Sequence, residues 1–248
     1  MTSAMQEKNS KEDQNKVIAF YDEYASRQKT VGINLRHQSI RKKLLNAGLK
    51  PNHKILEIGC GIGTLTQLLV HEVKEGSVVA IDIGNKNIEE AQRTLRKHKN
   101  LQLICVNAVE YDFKDMQFDV VVLPDVLEHI PIEQHLILFE KISNMLNPLG
   151  FVFIHIPNPA YLEWCHINRP DLVQIIDQPI YTSILIENTL PHGLIISKLE
   201  TYSIWVKDGD YEYIVMRKKG FEDFTQNIEE KITLWDKVIY KLKEFGKK

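Results

Sequence analysis

The sequence predicts one α/β domain built on a mostly parallel sheet of seven strands, with helices on both faces and a C-terminal antiparallel hairpin. Five runs of about five or six apolar residues alternate with stretches of helical periodicity. Continuous apolar runs are typical of parallel strands that are covered on both faces. Two later runs flank a short polar turn and predict the hairpin.

The N-terminal part of the chain is expected to be a tail followed by helices. Residues 1–12 are polar and predict a disordered tail. Segments 17–24 and 35–49 carry apolar residues at three-to-four spacing and predict two helices. We therefore expect residues 13–50 to form a helical lid on a domain that spans residues 13–220.

The remaining elements follow from the same patterns. The parallel strands are expected in KILEI (54–58), SVVAI (77–81), LQLICV (101–106), FDVVVL (118–123) and GFVFIHI (150–156). Helices are expected between them at 64–71, 85–97 and 132–146. LETYSIWV (199–206) and YEYIVMRK (211–218) flank the turn KDGD and predict the hairpin.

Residues 221–248 predict an amphipathic helix. Its apolar face would carry Ile228, Ile232, Trp235, Ile239 and Leu242, and lysines occupy the other face. We expect this helix to pack on the domain or on a second subunit in a homodimer. Association with a membrane surface is the weaker alternative.

Composition excludes several functional classes. The chain has 31 basic and 33 acidic residues and a formal charge of −2, so no global field favours nucleic acid or membranes. Its three cysteines show no C-x-x-C spacing and predict neither a disulfide framework nor a zinc site. The chain shows no signal-peptide core and no apolar stretch of membrane-spanning length. We expect a cytoplasmic protein without a membrane span.

The segment ILEIGCGIGTLT (55–66) places three glycines between a predicted strand and a predicted helix. With Asp82 at the end of the next strand, this pattern predicts a cradle for a ligand that carries a ribose. A dinucleotide fingerprint would need glycine where Thr64 stands, and the GK[ST] ending of a phosphate-binding P-loop is absent. Glu57, two residues before the first glycine, favours a ligand with an ammonium or sulfonium group.

The segment LEIGCGIGTLT resembles the E-x-G-x-G-x-G motif of class I S-adenosylmethionine-dependent methyltransferases. The segments VVAIDI, NAVEYDF, FDVVVLPDVLEHI and LNPLGFVFIHIPNP resemble that family's later motifs in the same order. The resemblance covers about residues 50–160. It implies a Rossmann-like fold, S-adenosylmethionine as the cofactor and methyl transfer as the reaction.

The resemblance also implies roles for individual residues. Three glycines would surround the methionine part of the cofactor, Glu57 would support that loop or the amino group, and Asp82 would hold the ribose. The remaining implied contacts are with adenine, the sulfonium side and a lid over the cofactor. Besides Glu57 and Asp82, the cofactor-binding residues that the resemblance implies are Gly59, Gly61, Gly63, Ile83, Asn107, Ala108, Pro124, Asp125 and Tyr24.

The segment PDVLEHIP supplies the expected catalytic groups. We hypothesise that His129 is the general base, with Asp125 beside it, because an imidazole titrates near neutral pH. The alternative is that Glu128 and His129 only tether the following segment. Relatives with E-x-x-E-H at this position bind a divalent metal. Asp125 departs from that pattern, and His155 and His166 stand at no diagnostic spacing, so we expect no metal.

The acceptor is expected to bind an insertion at residues 158–195, which combines aromatic and polar side chains. Expected substrate contacts are Tyr21, Asn158, Trp164, Asp177 and Gln178. The alternative is that this stretch only covers the sheet edge. We expect methyl transfer to oxygen or nitrogen of a small molecule, such as a sugar or secondary metabolite, and no nucleic acid partner. An RNA or protein methyltransferase, and a non-catalytic cofactor-binding protein, remain alternatives.

Overall fold

The structure, a computed structural model, describes residues 32–174 and 176–220. The predicted tail (1–12), the first helix (17–24), Tyr21, Tyr24 and the C-terminal helix (221–248) lie outside the described residues. Among the described residues, no helix is long and apolar enough to cross a membrane.

Seven strands of the described chain form one sheet in the order β3-β2-β1-β4-β5-β7-β6. The strands are β1 (Lys54–Ile58), β2 (Ser77–Asp82), β3 (Leu101–Cys105), β4 (Phe118–Pro124), β5 (Leu146–Pro157), β6 (Leu194–Tyr202) and β7 (Tyr211–Lys218). The first five run parallel, and β7 pairs antiparallel with both β5 and β6. This arrangement confirms the predicted fold class.

The helices cover both faces of the sheet. They are α1 (Leu35–Ala47), α2 (Thr64–Glu72), α3 (Asn85–Leu95), α4 (Ile132–Met145), α5 (Pro159–Asn168) and α6 (Thr182–Thr189). On one face, Phe139 of α4 and Leu185 of α6 belong to a buried core with alternate strand residues. On the other face, Leu44 of α1 and Leu69 of α2 belong to a second core. The long apolar strands are therefore buried on both sides, as their sequence predicts.

The prediction for the sixth strand is wrong in its position. We expected residues 199–206, but β6 ends at Tyr202. The carboxylate of Asp210 accepts hydrogen bonds from the backbone N–H groups of Ile204, Trp205 and Val206 at 2.7, 2.8 and 3.3 Å. These donors bind a side chain, so residues 203–206 lie outside the strand although their composition is typical of one.

Helix α1 is fixed at its start by a side-chain cap. The Asn34 amide oxygen accepts hydrogen bonds from the backbone N–H groups of Arg36 and His37 at 3.0 and 3.3 Å. Asparagine is a favoured residue at this position because it satisfies helix donors that have no partner within the helix. The cap places Arg36 and His37 on the first turn, beside the carboxyl ends of the central strands.

Candidate functional site

A cavity of about 1070 Å³ lies at the carboxyl ends of β1, β2 and β4. Strand order reverses between β1 and β4, and open α/β sheets bind their ligands at such a reversal. The cavity wall combines the turn after β1, the ends of β2 and β4, the start of α1 and part of the insertion. Its lining includes Arg36, His37, Glu57, Gly59, Gly61, Asp82, Ile83, Asn107, Ala108, Pro124, Asp125 and His129.

The glycine loop, residues 59–63, carries three glycines in the left-handed backbone region. Gly59, Gly61 and Gly63 have φ values of 79°, 53° and 85°. A Cβ on Gly59 would lie 2.5 Å from Cγ2 of Val126, and one on Gly63 would lie 2.7 Å from Cδ1 of Leu95. From the sequence, we expect these glycines to let a cofactor approach the backbone closely. The structure adds a second reason for Gly59 and Gly63, which is packing against the protein itself.

Asp82 holds the glycine loop in place. Its Oδ2 accepts a hydrogen bond from the backbone N–H of Gly61 at 2.8 Å. Its Oδ1 accepts from the backbone N–H of Gly84 at 2.8 Å and from Nδ2 of Asn87 at 3.0 Å. Asp82, the residue expected to bind the ribose, thus also connects β1, β2 and α3. A ribose bound there would share or replace one of these hydrogen bonds.

Glu57 is fully buried at the end of β1 and lines the cavity. Its Oε2 accepts a hydrogen bond from the Thr66 hydroxyl at 2.6 Å, while Oε1 has no hydrogen-bond partner among the described residues. Burial raises the pKa of Glu57 to about 8; the Thr66 hydroxyl opposes this shift and Asp82 adds to it. A buried carboxyl with one unpartnered oxygen fits a ligand that brings an ammonium group.

The three residues expected to contact adenine all line the cavity. They are Ile83, Asn107 and Ala108. The Asn107 side chain is engaged locally, because Oδ1 accepts from the backbone N–H of Val109 and Nδ2 donates to Glu110, both at 3.0 Å. Asn107 therefore shapes the turn after β3, and its contact with a ligand stays a prediction.

Asp125 lies at the centre of a buried polar network that the sequence did not reveal. Its backbone has φ 52°, which is uncommon for a residue other than glycine. Its carboxylate lies 2.5 Å from Nδ1 of His155 and 2.9 Å from the Arg36 guanidinium. Nε2 of the same imidazole lies 2.6 Å from the Tyr202 hydroxyl, and the Tyr211 ring stacks on it at 4.8 Å.

This network makes Asp125 a weak base. Burial would raise the pKa of Asp125, but the charges of Arg36 and His155 outweigh burial and lower it to about 2. A carboxylate with so low a pKa accepts a proton poorly at neutral pH. Sequence reasoning missed Arg36 and Tyr202, and the only available signal for His155 was a histidine inside the apolar run FVFIHI.

His129 lines the cavity and is held by the insertion. Its Nδ1 lies 2.5 Å from the carbonyl oxygen of Ile176. A carbonyl only accepts, so Nδ1 carries the proton and Nε2 is left as the basic nitrogen. Burial lowers the pKa of His129. Its role as a general base stays a prediction.

The insertion contributes to the cavity through residues other than those predicted. Asn158 caps α5, Trp164 is half exposed and stacks on Tyr161, and Gln178 binds backbone groups of residues 128–132. Asn158, Trp164, Gln178 and Asp177 are not among the described residues that line the cavity. The insertion residues that do line it are Asp171, Leu172, Val173, Gln174 and Ile176.

Comparison with known proteins agrees with this geometry. Residues 55–150 match the family model described as a methyltransferase domain. The chain is similar to a ribosomal RNA small subunit methyltransferase A from Malacoplasma penetrans (strain HF-2), with 32% identity over 112 residues, covering 43% of this chain and 39% of the relative. It is also similar to a demethylmenaquinone methyltransferase from Staphylococcus aureus (strain MRSA252), with 28% identity over 119 residues, 47% of this chain and 48% of the relative.

The chain thus spans less than half the length of these two curated relatives. Among solved structures, it resembles the N-methyltransferase NodS from Bradyrhizobium japonicum WM9 in complex with S-adenosyl-L-homocysteine. The TM-score is 0.59 at 18% identity, covering 74% of this chain and 85% of that chain. At this identity the likeness concerns the fold.

Proposed function

Because residues 55–150 form a methyltransferase domain and the chain belongs to the class I S-adenosylmethionine-dependent family, we propose that it methylates an acceptor bound in the cavity beside the glycine loop. The observation that carries this proposal is the position of Glu57, the glycine loop and Asp82 around one cavity. S-adenosylmethionine supplies an electrophilic methyl group on a sulfonium. The chain binds and orients the two reactants and removes a proton where the acceptor carries one.

The described residues fit the cofactor group by group. The unpartnered oxygen of Glu57 suits the ammonium of the methionine part, and Asp82 suits the ribose hydroxyls. Ile83 would offer an apolar contact for adenine, and Asn107 would reach the adenine edge. Pro124 and Asp125, which end and follow β4, would line the sulfonium side.

Size supports a small acceptor beside the cofactor. Pockets for one small ligand measure about 300–1000 Å³. The cavity of about 1070 Å³ lies just above that range, which leaves room for a second molecule beside the cofactor. Arg36, Glu133, Gln134 and Trp205 line the cavity as well, a mixture of charged, amide and aromatic side chains that suits a polar small molecule.

The proton-accepting group is assigned to His129 rather than to Asp125. Nε2 of His129 is a neutral base at the cavity wall, whereas the Asp125 carboxylate is neutralised by Arg36 and His155. We assign Asp125 a positioning role at the sulfonium side. The acceptor atom that we propose is oxygen or nitrogen of a small molecule; a hydroxyl or an N–H group would give up its proton to His129.

Methylation of RNA is the second candidate function. The specific observation in its favour is the similarity to the Malacoplasma penetrans relative, whose printed name is a ribosomal RNA methyltransferase. The near-neutral balance of 31 basic and 33 acidic residues opposes it, because RNA-binding surfaces are basic.

A labelled-methyl assay distinguishes these functions. The protein is incubated with S-adenosylmethionine labelled on its methyl group and with separated metabolite, RNA and protein fractions from one cell extract. Label in the metabolite fraction is expected. An Asp82→Ala variant serves as the negative control, since label transferred equally by it reports contamination. Label in RNA alone would replace the small-molecule proposal by the RNA proposal.

A further inference from the structure

An exposed tryptophan lies at the wall of the cavity. Trp205 is 56% exposed and lines the cavity. Val206, its neighbour in the chain, and Trp164 on α5 are also exposed, but neither is among the described residues that line the cavity. A single exposed apolar residue is ordinary at a protein surface, so exposure alone assigns no role to Trp205. Its place at the cavity wall, and the way in which its backbone is held there, do.

The backbone of Trp205 is fixed by a buried carboxylate. Asp210 is 1% exposed, and its Oδ2 accepts a hydrogen bond from the Trp205 backbone N–H at 2.8 Å. Asn158, at the start of the insertion, donates from Nδ2 to the carbonyl of Gly209 at 2.8 Å. Its backbone N–H donates to the carbonyl of Asp210 at 2.9 Å. Because residues 203–210 are held in this way, the indole is presented to the cavity from a fixed backbone, and little conformational entropy is lost when a ligand binds to it.

The polar groups on the acceptor side of the cavity offer hydrogen-bond acceptors. Gln174 lines the cavity, and its buried Oε1 has no hydrogen-bond partner among the described residues. Nε2 of His129 carries a lone pair, because Nδ1 of the same ring donates to the Ile176 carbonyl. The carboxylate of Glu133 lines the same cavity. A buried acceptor without a donor is costly, so a ligand that brings several hydrogen-bond donors fits this wall.

Several charged groups at the cavity are already paired within the protein. The Arg36 guanidinium lies 2.9 Å from the Asp125 carboxylate, and the Arg169 guanidinium lies 2.8 Å from the Asp171 carboxylate. Arg36, Asp125 and Asp171 line the cavity. Because each pair carries no net charge, neither pair requires an opposite charge on the acceptor. Hydroxyl groups, which are neutral donors, therefore suit this wall better than an ammonium group does.

A pyranose sugar combines the two features that this wall selects. Its ring presents C–H groups on one face and hydroxyl groups around the rim. The C–H face suits an indole, because the face of an aromatic ring is electron-rich, and the hydroxyl groups suit Gln174 and Glu133. We propose that Trp205 recognises the acceptor and that the acceptor is a neutral pyranose sugar stacked on the indole ring. This inference rests on the proposed function, and it names the substrate class of the same cavity.

Saturation-transfer NMR tests the stacking without methyl transfer. The protein is saturated with S-adenosylhomocysteine and mixed with the methyl glycosides of glucose, galactose, mannose and rhamnose. At least one glycoside should bind to the wild type. Trp205→Ala should weaken its binding at least about fivefold, because the sugar loses its apolar contact, and Trp205→Phe should retain most of the affinity. The matched control Trp164→Ala removes an exposed indole from α5 and should bind as the wild type does.

Two results would overturn the proposal. One is the lack of binding of all four glycosides to the wild type, and the other is equal affinity in Trp205→Ala and the wild type. Circular dichroism verifies that Trp205→Ala is folded; if it is not, Trp205→Leu replaces it with the same expectation. Calorimetry with S-adenosylhomocysteine separates this proposal from the proposed function. If the wild type binds S-adenosylhomocysteine but no glycoside, only the sugar proposal fails, whereas no binding of S-adenosylhomocysteine would contradict the proposed function.

Discussion

Nδ1 of His155 lies 2.5 Å from Oδ1 of Asp125, at the point where β5 and β4 end beside the cavity. The imidazole is fully buried and is fixed on its other side by the Tyr202 hydroxyl. Arg36 contacts the second oxygen of the carboxylate, so Asp125 is held by two groups. The charged state of Asp125 therefore contributes to the stability of the site.

Arg36→Gln should make the protein more sensitive to acid. The pKa of Asp125 is lowered from 3.8 to about 2, so its ionised form stabilises the fold above pH 3.8 and this stabilisation is lost as pH falls towards 2. Without Arg36 the acid-unfolding midpoint should rise, with a loss of about 1–2 kcal/mol at pH 5. Acid titration followed by circular dichroism measures the midpoint. The control Arg169→Gln, which breaks an exposed ion pair, should leave the acid-unfolding midpoint unchanged. Equal midpoints for Arg36→Gln and the wild type would show that Arg36 does not lower the pKa of Asp125.

Glu57→Gln should remove a pH dependence of stability. The pKa of Glu57 is raised from 4.5 to about 8, so its stabilisation is complete below pH 4.5 and is lost as pH rises through 8. The wild type should lose up to about 1.4 kcal/mol per pH unit in this window relative to the variant. Urea unfolding between pH 5 and 8.5 without ligand gives the two curves. The exposed control Glu75→Gln should follow the wild type, and parallel curves for Glu57→Gln would refute the shift.

Asp82→Ala should weaken binding of S-adenosylhomocysteine by about 1.5–3 kcal/mol, or roughly ten- to a hundredfold. The loss has two sources, which are the ribose contact and the bond from Gly61 to Asp82. Asp82→Asn keeps one oxygen for the loop and should bind with intermediate affinity. Calorimetry measures the three dissociation constants against the exposed control Asp112→Ala. Wild-type affinity in Asp82→Ala would show that the ribose assignment is wrong.

Gln178→Ala should lower the melting temperature by about 3–10 °C. The variant loses bonds to the carbonyls of Glu128 and Ile130 and to the backbone N–H of Ile132, about 1–3 kcal/mol in a domain of this size. Gln117→Ala, whose side chain makes one exposed bond, is the control. An unchanged melting temperature with an altered Michaelis constant for the acceptor would instead support the sequence prediction that Gln178 contacts substrate.

The sheet was predictable because strands buried on both faces leave continuous apolar runs, as in the segment that became β4. The end of β6 was not, because the decisive contact is the Asp210 carboxylate on three backbone donors. A strand-like composition carries no sign of that competition. Side-chain capping of backbone donors was therefore the missing information.

The cofactor side of the site was predictable because its parts are local. Glu57, the glycine loop and Asp82 stand at fixed distances from strand ends in the sequence. The other side is assembled from distant segments, as in the contacts of Arg36 with Asp125 and of Asp177 with His129. No spacing in the sequence encodes these contacts, since they arise only when α1 and the insertion pack against the end of β4.

Titration calorimetry of the wild-type protein with S-adenosylhomocysteine measures cofactor binding directly. We expect one binding site with micromolar affinity. We expect no heat with NAD, because Thr64 stands where the dinucleotide fingerprint needs its third glycine. Binding of NAD, together with no heat from S-adenosylhomocysteine, would show that the cavity beside the glycine loop is not an S-adenosylmethionine site.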